Sequence, residues 1–405
     1  MRNYWLLNVR LENGYIYNEN TVVGTETKIQ HIRIEAGKIA EITNVLPEGD
    51  YDSYDAKGML MLPSFKEMHI HIDKTYFGGA WRAVRPVTSI FERIKEEEKL
   101  LPELLPTAKG RALHMLETVL NYGSTHVRAH TNIDPSIGLK NLEVTVEAFE
   151  TYQNKLSHEI VAFPQHGLLR SNMVEEIRQA LRSGATHVGG VDPSSVDGDI
   201  ERSLNTIMDL AVEANAGIDI HLHDGKEAGL KTLQKLADLT EEAGWKDRVT
   251  VSHCFALADM SPTDFKEISC RFAKLGISVA STVPFGKIIM PLPELNESGV
   301  PVYLGTDSIN DHWSPFGNGD NLEKAGLFAE LYRNSTEQKL SQTLGFITGG
   351  KTPLNQKGEQ VWPKIGDEAN IVFVEASCSA EAVARRSHRK AVIYQGKLVA
   401  GNDKD

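Results

Sequence analysis

Cysteine is scarce in this 405-residue chain, and the little there is does not pair. Cys254, Cys270 and Cys378 lie far apart with no CxxC spacing, which argues against a disulfide framework or a thiolate zinc site. Long apolar runs are missing too. No stretch approaches the roughly 20 residues that span a bilayer, and the opening MRNYWLLNVR has neither the apolar segment nor the small-residue cleavage site of a secretory leader. These absences predict a reducing, cytoplasmic setting and no membrane partner. Positive charge is also in deficit. Lys and Arg number 43 against 55 Asp and Glu, a formal net charge of -12, so no basic face for nucleic acid is expected. No GxGxxG follows an early strand, which weakens a dinucleotide-binding fold. The HxE and PCxxC motifs of nucleic-acid deaminases are absent as well.

What is present is an ordinary globular composition, 41% hydrophobic and 24% charged, in a chain long enough for one large domain and something smaller. Both ends read as β-rich. Tyr4–Arg10, Ile29–Ile34 and Lys38–Ile42 are separated by turn signals at Glu12-Asn13-Gly14, Ala36-Gly37 and Pro47-Glu48-Gly49. Ala369–Glu375 and Ala391–Val399, the latter broken at Gln395-Gly396, repeat the pattern near the other end. A small β-sandwich assembled from residues 1–62 and 360–405 is expected. Between them, over 63–359, eight short apolar runs alternate with amphipathic segments. The runs are Met68–Ile72, Thr125–His130, Glu159–Phe163, Thr186–Val191, Gly217–Leu222, Arg248–Ser252, Ile277–Ser281 and Pro301–Gly305. Helices are expected over Ala108–Asn121, Met173–Arg182, Ile200–Asn215, Gly229–Glu242 and Leu322–Asn334, with glycine stops before the next run. Eight β-then-α units predict an α/β fold, a (β/α)8 TIM barrel. The charged, proline-interrupted KEEEKLLPELLP (95–106) reads either as a solvated helix or as a lid over the barrel mouth.

In such a barrel the chemistry belongs at the C-terminal ends of the strands, and reactive side chains recur there. His69 and His71 end the first run and, two residues apart on a strand, face the same side. His130 ends the second; Gln165 and His166 follow the third; Asp192 follows the fourth. His221 and His223 repeat the alternate spacing on the fifth, His253 ends the sixth and Asp307 the eighth. A single histidine near a strand end is more often a hydrogen-bonded structural residue than a ligand. Ionisable groups at seven of the eight ends are harder to treat that way, because burying them is costly unless they are paired or bound to metal. Neutral imidazoles with one carboxylate suit Zn2+ or Fe2+, whereas Mg2+ and Ca2+ want more oxygens.

PSFKEMHIHIDK, VAFPQHG, GIDIHLHDG, VTVSHC and LGTDSINDHWSPFGNGD, taken together and in order, resemble the cytosine-deaminase-like branch of the amidohydrolase superfamily. The VGGVDP, HxHD and PFGNGD forms are similar to its s-triazine isopropylaminohydrolases. The likeness runs through essentially the whole chain. It implies one divalent metal ion per subunit, Zn2+ or Fe2+, held by His69, His71, His221 and Asp307. No lysine ends the fourth run, His187-Val188-Gly189-Gly190-Val191-Asp192, so a carboxylated bridge between two metals is disfavoured. It further implies Asp307 and His253 as catalytic groups around a metal-activated water, and Gln165 and Lys74 as substrate contacts, with Asp192, Asp311 and Trp313 as pocket walls. In cytosine deaminases a glutamate three residues after the fifth-strand ligand protonates the departing amine. Here that position is Asp224, preceded by His223, and either can serve. Ser308 replaces the amide side chain of the triazine enzymes. Cytosine itself is therefore doubtful as a substrate.

The expected activity is deamination or dealkylamination of a small nitrogen heterocycle by a homo-oligomeric enzyme. A cyclic-amide amidohydrolase, a barrel that binds a ligand without catalysis, and a non-hydrolytic enzyme on the same scaffold stand as alternatives.

Overall fold

The computed structural model of the protein describes residues 3–286 and 288–401. Five strands open the chain: β1 (Tyr4–Asn18), β2 (Thr21–Glu35), β3 (Lys38–Thr43), β4 (Asp52–Asp55) and β5 (Leu60–Pro63). Ala36 and Gly37, at φ 50° and 80°, form the tight turn between β2 and β3, the left-handed pair that such hairpins require. The Glu12-Asn13-Gly14 turn expected from sequence does not form. β1 runs straight through it and absorbs the segment as a register shift against β2 between Glu12 and Gly14, as a bulge does.

Barrel strands follow in β6 (Phe65–Ile70), β7 (Ser124–Asn132), β8 (Ser157–Phe163), β9 (His187–Val191), β10 (Gly217–His221), β11 (Val249–Ser252), β12 (Ser278–Ser281) and β13 (Val302–Leu304). They form one parallel sheet in chain order; each expected run overlaps its strand, though β6, β7 and β8 begin one to three residues before theirs. β13 returns to β6 at the mouth, where Asp307 N donates to His69 O (2.8 Å) and His71 N to Asp307 O (2.6 Å). The near-closed barrel is the large domain. Its core joins the outward strand residues, such as Val127, Ile160, Ile220 and Val251, to the surrounding helices.

The last strands, β14 (Ile371–Val374), β15 (Arg389–Tyr394) and β16 (Lys397–Gly401), complete the N-terminal sheet in the order β16-β15-β14-β5-β1-β2-β3, with β4 beside β1. This mixed sheet from both chain ends supplies a second domain around its own core of Leu6, Leu11, Ile32, Ile34, Phe373 and Ile393.

Helix α1 (Ile90–Asn121) departs most from expectation. It begins 18 residues before Ala108 and passes unbroken through Pro102 and Pro106. Both prolines face solvent, where water can satisfy the carbonyls that lose their amide partners, while Leu101, Leu104 and Ala108 pack inward. Residues 95–106 are therefore helical, with a solvated outer face and one acidic side chain, Glu97, turned into the barrel mouth.

Candidate active site

Most of the strand-end residues picked out in the sequence meet at the barrel mouth. His69 and His71 stand on and just beyond β6, His221 ends β10, His253 follows β11 and Asp307 follows β13. His69, His71 and His221 are at most 4% exposed; Asp307 is half-buried and faces the opening.

Hydrogen bonds fix the ring tautomers. Ser252 Oγ donates to Asp219 Oδ1 (2.6 Å), so towards His69 Nδ1 (2.8 Å) the hydroxyl accepts, and His69 Nε2 keeps its lone pair. Asp219 is itself gripped by Arg128 Nη1 (2.9 Å). His71 Nδ1 donates to the carbonyl of His130 (3.0 Å), leaving Nε2 of His71 unprotonated as well. That lone pair lies 3.3 Å from His221 Nε2, and Asp307 Oδ1 lies 3.5 Å from His69 Nε2 and 3.6 Å from His71 Nε2. Facing lone pairs repel unless a cation sits between them. Each of these three separations is the length of one edge of a tetrahedron whose metal–ligand bonds are about 2.0–2.1 Å. His69 Nε2 and His221 Nδ1 have no hydrogen-bond partner among the described residues. Burial above all holds His71 and His221 well below the ordinary histidine pKa, which keeps them neutral, each with one ring nitrogen unprotonated. This donor set fits one divalent ion.

His130 was not expected as a ligand. It is fully buried, neither ring nitrogen has a hydrogen-bond partner among the described residues, Nε2 lies 3.7 Å from Asp219 Oδ2, and its ring lies 4.1 Å from that of His69. The potential ligand atoms of His69, His130 and His221 fall within 4.8 Å of one another, as do those of His69, His253 and Asp307.

On the far side of His253, Asp192 holds His223 in place. Its Oδ2 lies 2.8 Å from His223 Nδ1, and its Oδ1 accepts from the amides of His223 (2.6 Å) and Asp224 (2.9 Å). Burial opposes charge on His223, but the Asp192 bond and charge prevail and raise its pKa. The His223 ring lies 4.6 Å from that of His253. Asp224 turns Oδ2 to the amide of Ser195 (3.2 Å) instead. Beside His223 a cavity of about 400 Å3 opens, lined by Phe255, Asp259, Ile288 and Ile289.

The remaining predicted contacts cluster around β6, β8 and β13. Lys74 Nζ donates to Gln165 Oε1 (2.9 Å) and lies 5.6 Å from the Trp313 ring. Asp311 accepts from the amides of Trp313 (2.7 Å) and Ser314 (2.8 Å), shaping that loop. Glu97, which the sequence reading passed over, is the hub of this cluster. It was concealed in a run of glutamates and lysines, yet Ile94, Glu97, Leu101 and Leu104 mark one helical stripe. An acid at a stripe position is the signal that could have found it.

Comparison with known proteins finds relatives along nearly the whole chain. The Amidohydrolase family matches residues 52–188 and 188–400. The chain is 46% identical to the protein YahJ of Escherichia coli (strain K12), over 98% of this chain and 88% of that one. It is 27% identical to N-isopropylammelide isopropyl amidohydrolase of Pseudomonas sp. (strain ADP), over 95% and 96% of the two chains. Among solved structures, N-isopropylammelide isopropylaminohydrolase from Burkholderia multivorans superposes with a TM-score of 0.85 at 27% identity, covering 100% of this chain and 99% of that one.

Proposed function

Because the chain belongs to the amidohydrolase family, we propose that it is a metal-dependent hydrolase that cleaves an exocyclic C–N bond of a small nitrogen heterocycle, releasing ammonia or an alkylamine. The observation that carries this reading is the meeting of His71 Nε2 with His221 Nε2 at 3.3 Å and of Asp307 Oδ1 with His69 Nε2 and His71 Nε2 at 3.5 and 3.6 Å. His69, His71, His221 and Asp307 would hold the ion. When bound, a divalent ion at such a site makes water a competent nucleophile near neutral pH and polarises the carbon under attack.

The chain's own groups carry the protons. The Asp307 carboxylate, half-open to the mouth, takes the proton of the attacking water. His253, 4.8 Å ring to ring from His69, stabilises negative charge as it develops on the ring. His223, gripped by Asp192 and raised in pKa, hands a proton to the departing amine. Asp224, turned to Ser195, serves that role less well. Gln165 hydrogen-bonds the ring, and Trp313 with Asp311 bounds the pocket. Hydrolysis of a cyclic amide would use the same groups and differs in leaving the amine attached to the product.

The test combines metal analysis with an ammonia- and alkylamine-release screen over aminated triazines, pyrimidines, pterins and cyclic amides. About one zinc or iron per chain and release from an aminated ring are expected. Two metals per chain, or ring opening without amine release, would overturn the reading.

A further inference from the structure

Glu97 has no role in the chemistry above, yet it is fully buried at the barrel mouth and four strand ends converge on it. Its Oε1 accepts from Lys74 Nζ (3.3 Å), Asn132 Nδ2 (3.1 Å) and His312 Nε2 (3.1 Å), and its Oε2 from His166 Nε2 (3.1 Å). A buried carboxylate is tolerated only with such company. Among the described residues Glu97 is the one carboxylate in contact with Lys74. Asp73 and Asp311 also face the ammonium electrostatically, but neither touches it: Asp73 Oδ2 accepts from the Asn132 amide and the Asn141 side chain, and Asp311 Oδ1 from the amides of Trp313 and Ser314. The cluster adjoins the imidazoles, since Lys74 Nζ lies 5.8 Å from the Phe163 ring and that ring stacks on His221 at 4.0 Å.

Two chemical consequences follow. An ammonium only donates, so Gln165 must turn its carbonyl to Lys74 (2.9 Å) and its NH2 away. The ammonium is also cancelled at contact by Glu97, so the Lys74–Glu97 pair offers no net positive charge to attract an anion.

Resting on the hydrolase reading above, we infer that Glu97 is a positioning residue that sets the charge of the accepted substrate. It neutralises Lys74 and, through Lys74, orients Gln165 as a donor, so the pocket selects a neutral heterocycle with a ring acceptor over an anionic ring.

Calorimetric titration of the purified, metal-analysed protein with uracil (a neutral ring) and barbiturate (an anionic ring near neutral pH) tests the assignment. The wild type is expected to favour uracil. Glu97→Gln leaves the ammonium unpaired and should shift the affinity ratio towards barbiturate by about tenfold or more, with metal content unchanged. Lys74→Met leaves the carboxylate unpaired and should shift it the opposite way, so either variant alone suffices should the other not accumulate. A parallel loss of both affinities, or a ratio that neither variant moves, makes Glu97 a scaffold residue only and overturns the proposal. Failure of the wild type to bind either ring overturns it too. The hydrolase reading is judged separately, by amine release.

Discussion

Asp307 stands at φ 67°, His253 at 66° and Asp192 at 37°, left-handed backbone that residues with a side chain seldom adopt and that costs of order 1–3 kcal/mol each. Asp307 persists there because both its amide and its carbonyl are locked into β6 at His69 and His71. Asparagine tolerates the same backbone, so with chelator present Asp307→Asn is expected to melt close to the chelated wild type, while its amine release nearly disappears. Substantial remaining turnover would remove Asp307 from proton transfer. For the leaving group, His223→Ala should reduce kcat by about 10²–10⁴, and Asp224→Ala by much less; the reverse order in steady-state kinetics would exchange their roles.

Away from the site, burial pushes the Glu12 carboxyl from 4.5 up to about 7. One oxygen accepts from the Ser379 amide and the other has no partner among the described residues. A carboxyl whose folded pKa is raised favours the folded state in its protonated form. That contribution is complete below about pH 4.5 and is lost as pH rises through about 7. Glu12→Gln, which mimics the protonated group, should match the wild type near pH 4 and exceed it near pH 8 by as much as about 3 kcal/mol. Denaturant melts at both pH values measure this, and equal stability at pH 8 would count against it.

At the scale of elements, the barrel strands were legible because apolar runs, glycine stops and strand-end histidines mark the same positions. Helix α1 was not. Its first turns carry so much charge that the inward stripe Ile94–Glu97–Leu101–Leu104 is masked, and its prolines read as breaks until packing shows that they face water. The turn predicted inside β1 failed for a similar reason. Glu12-Asn13-Gly14 has turn chemistry, but pairing along the whole length of β2 outweighs a local preference. The seam between β13 and β6 depends on a glycine just past β13. A Cβ on Gly305 would come within 2.6 Å of His69 Cβ and 2.7 Å of its backbone nitrogen and oxygen. Gly305→Ala should therefore displace His69, lower metal content and lower Tm. Metal analysis beside a thermal melt checks this, and full metal occupancy in the variant would show that the seam can adjust.

For the whole molecule, the proposed ion would couple metal binding to the fold. An ion that binds only the native state stabilises it by about 4 kcal/mol at a thousandfold excess over Kd. Chelation should lower Tm, and zinc or iron should restore it; a melt unchanged by chelator would mean that the mouth is stable without an ion. Sequence by itself determined the (β/α)8 order, the β-rich ends and the strand-end positions of the histidines and Asp307, because strand period and the barrel's polarity translate position directly into orientation. Only the tertiary structure decided what those groups do to one another: that Ser252 and Asp219 set the His69 tautomer, that Asp192 grips His223 and leaves Asp224 to Ser195, and that Glu97 closes on Lys74. These are contacts between residues 23 to 183 positions apart, set by distances of a few ångströms that depend on how strands and loops pack, and no local pattern in the chain encodes them.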